Sequence, residues 1–235
     1  MNPTMIEANA SLLLDNVTVT ATAKTRVVLA LHHLLAADRF ANRISEVERE
    51  YAGQSFGAFW EEIFQNALGV ATLSVASIEC HVNDLFFEGS AISPYLNPVA
   101  TDVVVEALDS GSILQKYRAI LGIRMGKKLD MGTPQVQSAD DLIKLRNALV
   151  HFRPEWFGEQ REHDKLSKRL KGKFETSGFL PNEPVFPRAW ASHSFVVWAL
   201  SSTIMFLEHF HKEADIPNPF AKFKGHIKTV STNVL

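Results

Sequence analysis

The sequence predicts an all-α helical bundle, and three observations carry that prediction. Apolar residues recur at three- and four-residue spacing through most of the chain. Prolines and glycines gather in short intervals between the periodic stretches, as at 53–57, 90–98 and 181–187. The 235 residues are 46% hydrophobic and 21% charged, which is ample for one core. No internal repeat, low-complexity tract or linker divides the chain. We expect a weakly structured segment over 1–22, a single all-α domain over 23–214 and a loosely held tail over 215–235.

The elements follow in order. Residues 16–23, NVTVTATA, read as a short extended segment or as disorder. A first helix is expected from about Lys24 to about Tyr51, with Val27, Val28, Leu31, Leu34, Leu35 and Ile44 on its apolar face. A second, long helix fills about 59–88, and Gly89 is a natural stop. Shorter helices are expected at about 99–108 and 113–123. A loop, MGKKLDMGTP, leads to the next helix, whose opening turn is expected to hold Asp140 and Asp141, a favourable place for negative charge. That helix ends before Pro154, because a residue preceding proline avoids the helical region. Residues 159–173 are highly charged and read as an exposed helix. The last helix, about 188–214, is apolar on nearly every side and belongs in the middle of the bundle.

Composition narrows the function classes. Net charge is −2, so any nucleic-acid contact must come from a local patch. The single cysteine, Cys80, excludes an intrachain disulfide and a cysteine-based zinc site, and reads as a small buried residue. The N-terminus lacks a basic start and a sustained apolar run, so no secretion signal is expected. The apolar segment 195–210 reads as a core helix rather than a membrane span. The expected setting is cytoplasmic, with no membrane. His32 and His33 point in different directions, and His209 and His211 are only two apart, so neither pair has the i, i+4 geometry of a metal site. Glu61 and Glu62 read as an exposed pair. No metal and no cofactor are expected.

The chemistry concentrates in LIKLRNALVHFRPEW, residues 142–156. Arginine can hold a phosphate, and histidine can move a proton near neutral pH. Successive helical residues turn by roughly 100°, which puts Leu142, Leu145, Leu149 and Phe152 on one stripe, the expected core face. Asn147 and His151 project together from the other side, with Arg146, Ile143 and Val150 on the flank between. A second face that is partly apolar should be covered, by another helix or by a second copy of the chain. His151 falls in the last turn, where the helix dipole favours a protonated imidazole.

The words RNALVHFR resemble the signature of the HEPN superfamily: an arginine, a polar residue, then a histidine near a helix end. Arg146, Asn147 and His151 fill it. The upstream stretch ATLSVASIECHVNDLFF resembles an earlier core helix of that family, with Glu79 and Asn83 at its two polar positions. The last helix, RAWASHSFVVWAL, is similar as well. The likeness spans 25–212, and its specific words cover about thirty residues. Arg153 stands where one toxin branch carries tyrosine. The resemblance implies a HEPN-like antiparallel helical bundle with extra helices, pairing as a homodimer through the motif-helix face. It also implies metal-independent RNA cleavage through a 2′,3′-cyclic phosphate, in a toxin, defence or RNA stress-response setting. His151 would then move the proton, Arg146 would steady the phosphate, Asn147 would orient phosphate or imidazole, and Glu79 and Asn83 would hold Arg146.

Basic residues near the motif are candidates for guiding the RNA backbone: Lys144, Arg153, Arg161, Lys165, Lys168 and Arg169. A plain solvated helix face is the competing account of the segment after the motif. RNA is the expected substrate, and a regulatory partner protein would suit the setting. The alternative reading is a noncatalytic bundle of the same type that binds a nucleotide or a partner. A third is a structural helical protein in which His151 is a satisfied core residue.

Overall fold

The structure, a computed structural model, describes residues 4–7, 12–14, 17–19, 24–87, 91–156, 159 and 161–231. Eight α-helices make up most of the described residues: α1 (Leu29–Glu50), α2 (Phe59–Phe86), α3 (Pro98–Asp109), α4 (Ile113–Met125), α5 (Pro134–Val150), α6 (Glu162–Leu170), α7 (His193–Ala214) and α8 (Lys228–Ser231). The N-terminal segment contributes two short antiparallel ladders. Strand β1 (Thr4–Glu7) pairs with β4 (Lys24–Val27), and β2 (Leu12–Leu14) pairs with β3 (Val17–Val19). The expected extended stretch within 16–23 is therefore β3 in part, and its remaining residues lie outside the described ones. So does the Gly89 stop.

Helix α7 lies at the centre and packs against α1, α2, α4, α5 and α8. Phe195, Val196, Ala199, Leu200, Phe206, Leu207 and Phe210 are fully buried on it, as its all-round apolar pattern predicts. Each of these side chains larger than alanine contributes roughly 1.5–3 kcal/mol relative to exposure. Helices α1 and α2 form the longest pairing, with Ala37, Ala41, Ile44 and Val47 against Ile63, Ala67, Val70 and Ala71. Helix α2 is the one described helix long and apolar enough by composition to cross a membrane, and it is packed within this bundle. Cys80 is half-buried on it.

Several boundaries differ from the sequence expectation. The first helix begins at Leu29, because Lys24–Val27, with β-branched Thr25 and Val27, is taken up by β4. Helix α5 begins at Pro134, a full turn and a half before Asp140. Proline at the first helical position has no N–H to lose, and that signal went unread. Asp140 and Asp141 therefore sit inside α5, not at its dipole. The expected helix over 159–173 shrinks to the nine residues of α6. The last helix begins at His193, where the Ser192 hydroxyl accepts from Phe195 N at 3.1 Å and Glu48 of α1 accepts from His193 N at 2.8 Å. The tail is docked through Thr229. Phe220 and Ile227 are buried, and the Asp38 carboxylate accepts from the backbone N–H of Lys228 and Thr229.

Candidate functional site

Helix α5 carries the site residues, and its inner face anchors it: Val136, Ala139, Leu142 and Leu145 are fully buried. The core stripe stops there. Leu149 is only half-buried and Phe152 is 47% exposed, because the helix ends at Val150 and the chain turns away. Asp140 and Asp141 fasten the following segment to the helix. Arg169 pairs with both carboxylates, Lys173 reaches Asp141 at 2.7 Å, and Lys144 reaches Asp140 at 2.6 Å. Asp141 is nearly fully buried, so this cluster is a structural joint between α5 and α6.

Arg146 and His151 do not point the same way. Five helical residues separate them, which is about 140° of rotation. Arg146 turns toward α2, where its guanidinium donates to Glu79 Oε2 at 3.2 Å, and its Nε is buried without a partner. Asn83 does not share in holding Arg146. Its amide oxygen instead accepts from Lys116 of α4 at 2.8 Å, one turn further along α2. Asn147 is exposed. His151 caps the helix: its backbone N–H donates to Asn147 O at 2.9 Å, and its φ of −107° and ψ of 40° take it out of the helical path. The imidazole is exposed, and among the described residues no hydrogen bond or ion pair engages it.

His151 opens onto a cavity of about 480 Å³ between the end of α5 and α6. Lys144, Arg153, Lys165 and Arg169 line it with His151. The more buried lining includes Ala148, Leu166, His163 and Phe186. His163, 6% exposed, lies among aromatic rings, with Phe152 tilted over it at 5.4 Å and Phe186 edge-on at 4.9 Å. Its Nε2–H donates to the Arg153 carbonyl at 3.0 Å, and Nδ1 has no hydrogen-bond partner. The Glu155 carboxylate lies 3.8 Å from Nδ1. That carboxylate also accepts from the backbone N–H of Glu162 and His163, so it caps α6 from outside the helix. Desolvation works to raise the Glu155 pKa, but the backbone donors outweigh it and hold the carboxyl below its ordinary range.

The expected basic residues thus divide. Lys144, Arg153, Lys165 and Arg169 share the cavity with His151, although Lys165 is paired with Glu162 and the Lys144 and Arg169 charges are matched by Asp140 and Asp141. Arg153 has no such partner among the described residues. Arg161 begins α6 outside the cavity lining, and Lys168 borders a second depression with Lys171, Glu175 and Glu183. Sequence reasoning missed His163, Glu155 and Phe186. Their only signal was an aromatic and a histidine in a charged stretch, and the contact that unites them spans a loop of no recognisable pattern.

A second histidine cluster lies in the core. His81 Nε2 and His211 Nε2 are 3.0 Å apart, His81 Nδ1 is 2.8 Å from the Tyr117 hydroxyl, and His211 Nδ1 is 3.1 Å from the Ile216 carbonyl. A carbonyl only accepts, so His211 carries its hydrogen on Nδ1. Neutral His211 then accepts at Nε2 from His81 Nε2–H, and His81 Nδ1 accepts from Tyr117. The Ile78 carbonyl, 2.9 Å from the same hydroxyl, is a second acceptor for its single hydrogen. No group of three or more His, Cys, Asp or Glu side chains among the described residues is placed to hold a metal ion.

Comparison of the chain with family models, with curated proteins and with solved structures gave no match.

Proposed function

We propose that this protein is a metal-independent endoribonuclease of HEPN type, active as a homodimer on RNA in a cytoplasmic toxin, defence or stress-response setting. The observation that carries the reading is the solvated, uncommitted imidazole of His151 at the mouth of a cavity lined by cations. An imidazole with free access to water can take the proton from a ribose 2′-OH. The 2′-oxygen then bonds to the adjacent phosphorus, and the bond from phosphorus to the 5′-oxygen breaks. The leaving oxygen takes a proton, and the products carry a 2′,3′-cyclic phosphate and a 5′-hydroxyl. Arg146 would meet the charge on the phosphate and Asn147 would orient it.

The divergence of Arg146 and His151 bears on how the site is assembled. One chain does not bring both groups to one phosphate, whereas two α5 helices facing each other can offer Arg146 from one copy and His151 from the other. Support comes from the uncovered face of α5, where Val150 is 54% exposed beside exposed Asn147 and half-buried Ile143. A two-fold pairing would cover that face.

Cleavage of a mixed RNA pool in EDTA tests the activity. Cutting by the wild type, loss in His151→Ala, and cyclic phosphate ends are expected. Equal cutting by both proteins would reject His151 as the proton carrier. Mixing inactive Arg146→Ala with inactive His151→Ala tests the shared site. Mixed dimers should restore about a quarter of wild-type activity, since half the dimers would hold one intact site of two. The second reading is a module of the same type that binds a nucleotide or partner without cutting, with a regulatory partner as one occupant. The engagement of Arg146 by Glu79 favours it, and failure of both activity tests with folding intact would select it.

A further inference from the structure

We propose that the cavity beside His151 is a recognition pocket for one unstacked guanine nucleotide. Its biological role rests on the ribonuclease reading, but its ligand chemistry does not. About 480 Å³ is the size range of pockets that enclose a small ligand. The lining has two kinds of surface. Leu166 and Ala148 offer apolar contact to a flat ring, while Arg153 places an uncommitted guanidinium for a phosphate. A ring joined to a phosphate matches that division, and a nucleotide is the ubiquitous molecule with both parts.

The base preference comes from Glu155. Its carboxylate lines the cavity and is only part-buried, and each of its two oxygens keeps a lone pair beyond the one used by the α6 backbone. Two adjacent acceptors ask for two adjacent donors. Among the common bases, guanine alone offers that edge, its N1–H beside its 2-amino group. Adenine and cytosine set one donor against an acceptor, and uracil flanks its single N–H with two carbonyls. A guanine held here puts its sugar and phosphate toward His151, so cleavage next to guanosine follows from the same geometry.

The test uses full-length His151→Ala protein, which cannot consume its ligand, titrated calorimetrically with the four 3′-nucleoside monophosphates, guanosine and inorganic phosphate. Guanosine 3′-monophosphate should bind at least about tenfold more tightly than the other three, the discrimination expected of a matched pair of base-edge hydrogen bonds. Arg153→Ala, at an exposed position, should weaken the nucleotide but not guanosine. Glu155→Gln should erase the preference for guanine, read as the ratio of guanine to adenine affinities so that any loosening of α6 cancels. A short deoxyoligonucleotide ending in guanine separates the sources: tighter binding than the mononucleotide assigns the pocket to RNA, and equal binding assigns it to the free nucleotide. No saturable nucleotide binding, or equal binding of all four bases, overturns the proposal. RNA cleavage without guanine binding would sink this pocket and leave the nuclease standing, and guanine binding without cleavage would do the reverse.

Discussion

His81 and His211 meet inside the bundle, whereas His151 and His163 share a cavity at its surface. The inner pair is spoken for at every ring nitrogen, by Tyr117, by the Ile216 carbonyl and by each other. Burial foremost, and then the proximity of His211, pushes the His81 pKa down to about 3, and burial lowers His211 as well. The buried surroundings disfavour a charge on either imidazole. The outer pair has the opposite character, with His151 solvated and His163 holding one nitrogen without a partner. Four residues of one type thus fall into a structural set and a chemical set, separated by whether every ring nitrogen has a partner.

Exchanging the two sets under mutation gives the sharpest break. His151→Ala should lower RNA cleavage by about 10²–10⁴-fold, the usual worth of a positioned proton carrier. Because the side chain is exposed and unpaired, urea denaturation should move by no more than about 0.5 kcal/mol. His81→Ala should do the reverse. It leaves a cavity and strips a partner from both Tyr117 and His211, which should cost about 2–4 kcal/mol in the same denaturation experiment. Cleavage per folded molecule should persist. A stable His81→Ala protein would mean that the core chain of hydrogen bonds contributes little.

The same contrast predicts a dependence of stability on pH. An unfolded histidine titrates near 6.5, and His81 in the fold near 3. Between those values the unfolded chain binds more protons than the folded one, so stability falls as pH drops through that window and is fully present above it. The slope approaches about 1.4 kcal/mol per pH unit for one histidine, with His211 and His193 adding in the same direction because burial lowers both. Glu48 opposes this just above its ordinary value, since burial raises it and its contribution is lost as pH rises. Thermal melts from pH 7 to pH 4 should show a falling Tm that flattens in His81→Phe. A flat profile in the wild type would show that the inner histidines are not held neutral.

The inner set was hidden in the sequence and the outer one was half visible, for physical reasons. Helical periodicity exposed the bundle because it is local, and it placed the buried stripe through Leu142 and Leu145 and the central position of α7. His81 and His211 lie 130 positions apart, and no spacing rule links them. Arg146, Asn147 and His151 could be read because they share one helix and one resemblance. The direction of Arg146 toward Glu79 was anticipated by the resemblance, which gave Glu79 as one of the two residues holding Arg146. Asn83 looked equivalent by the i, i+4 rule, but it found a closer cation in Lys116, and only packing of α4 decides that. The cavity itself depends on the loop between α5 and α6, whose course no periodicity encodes.

The smallest expected effect asks what Glu79 does to Arg146. Their ion pair is partly solvated, with the two side chains 20% and 45% exposed, so removing it should change stability by less than about 1 kcal/mol. Activity is the more informative reading, because a carboxylate beside a phosphate-binding arginine can either steer it or compete for it. Arg146 has a buried Nε and, among the described residues, a single hydrogen-bonding partner in Glu79, and that contact aims its guanidinium. If the contact steers, Glu79→Gln keeps a hydrogen-bond acceptor and should lower cleavage only a few-fold, while Arg146→Ala lowers it by about 10²-fold or more. If the contact competes, Glu79→Gln frees the guanidinium and cleavage rises, with a lower KM as the signature of a phosphate no longer displaced. A rise would recast Glu79 as a restraint on the site, which a partner or a second copy of the chain must release before RNA can be held.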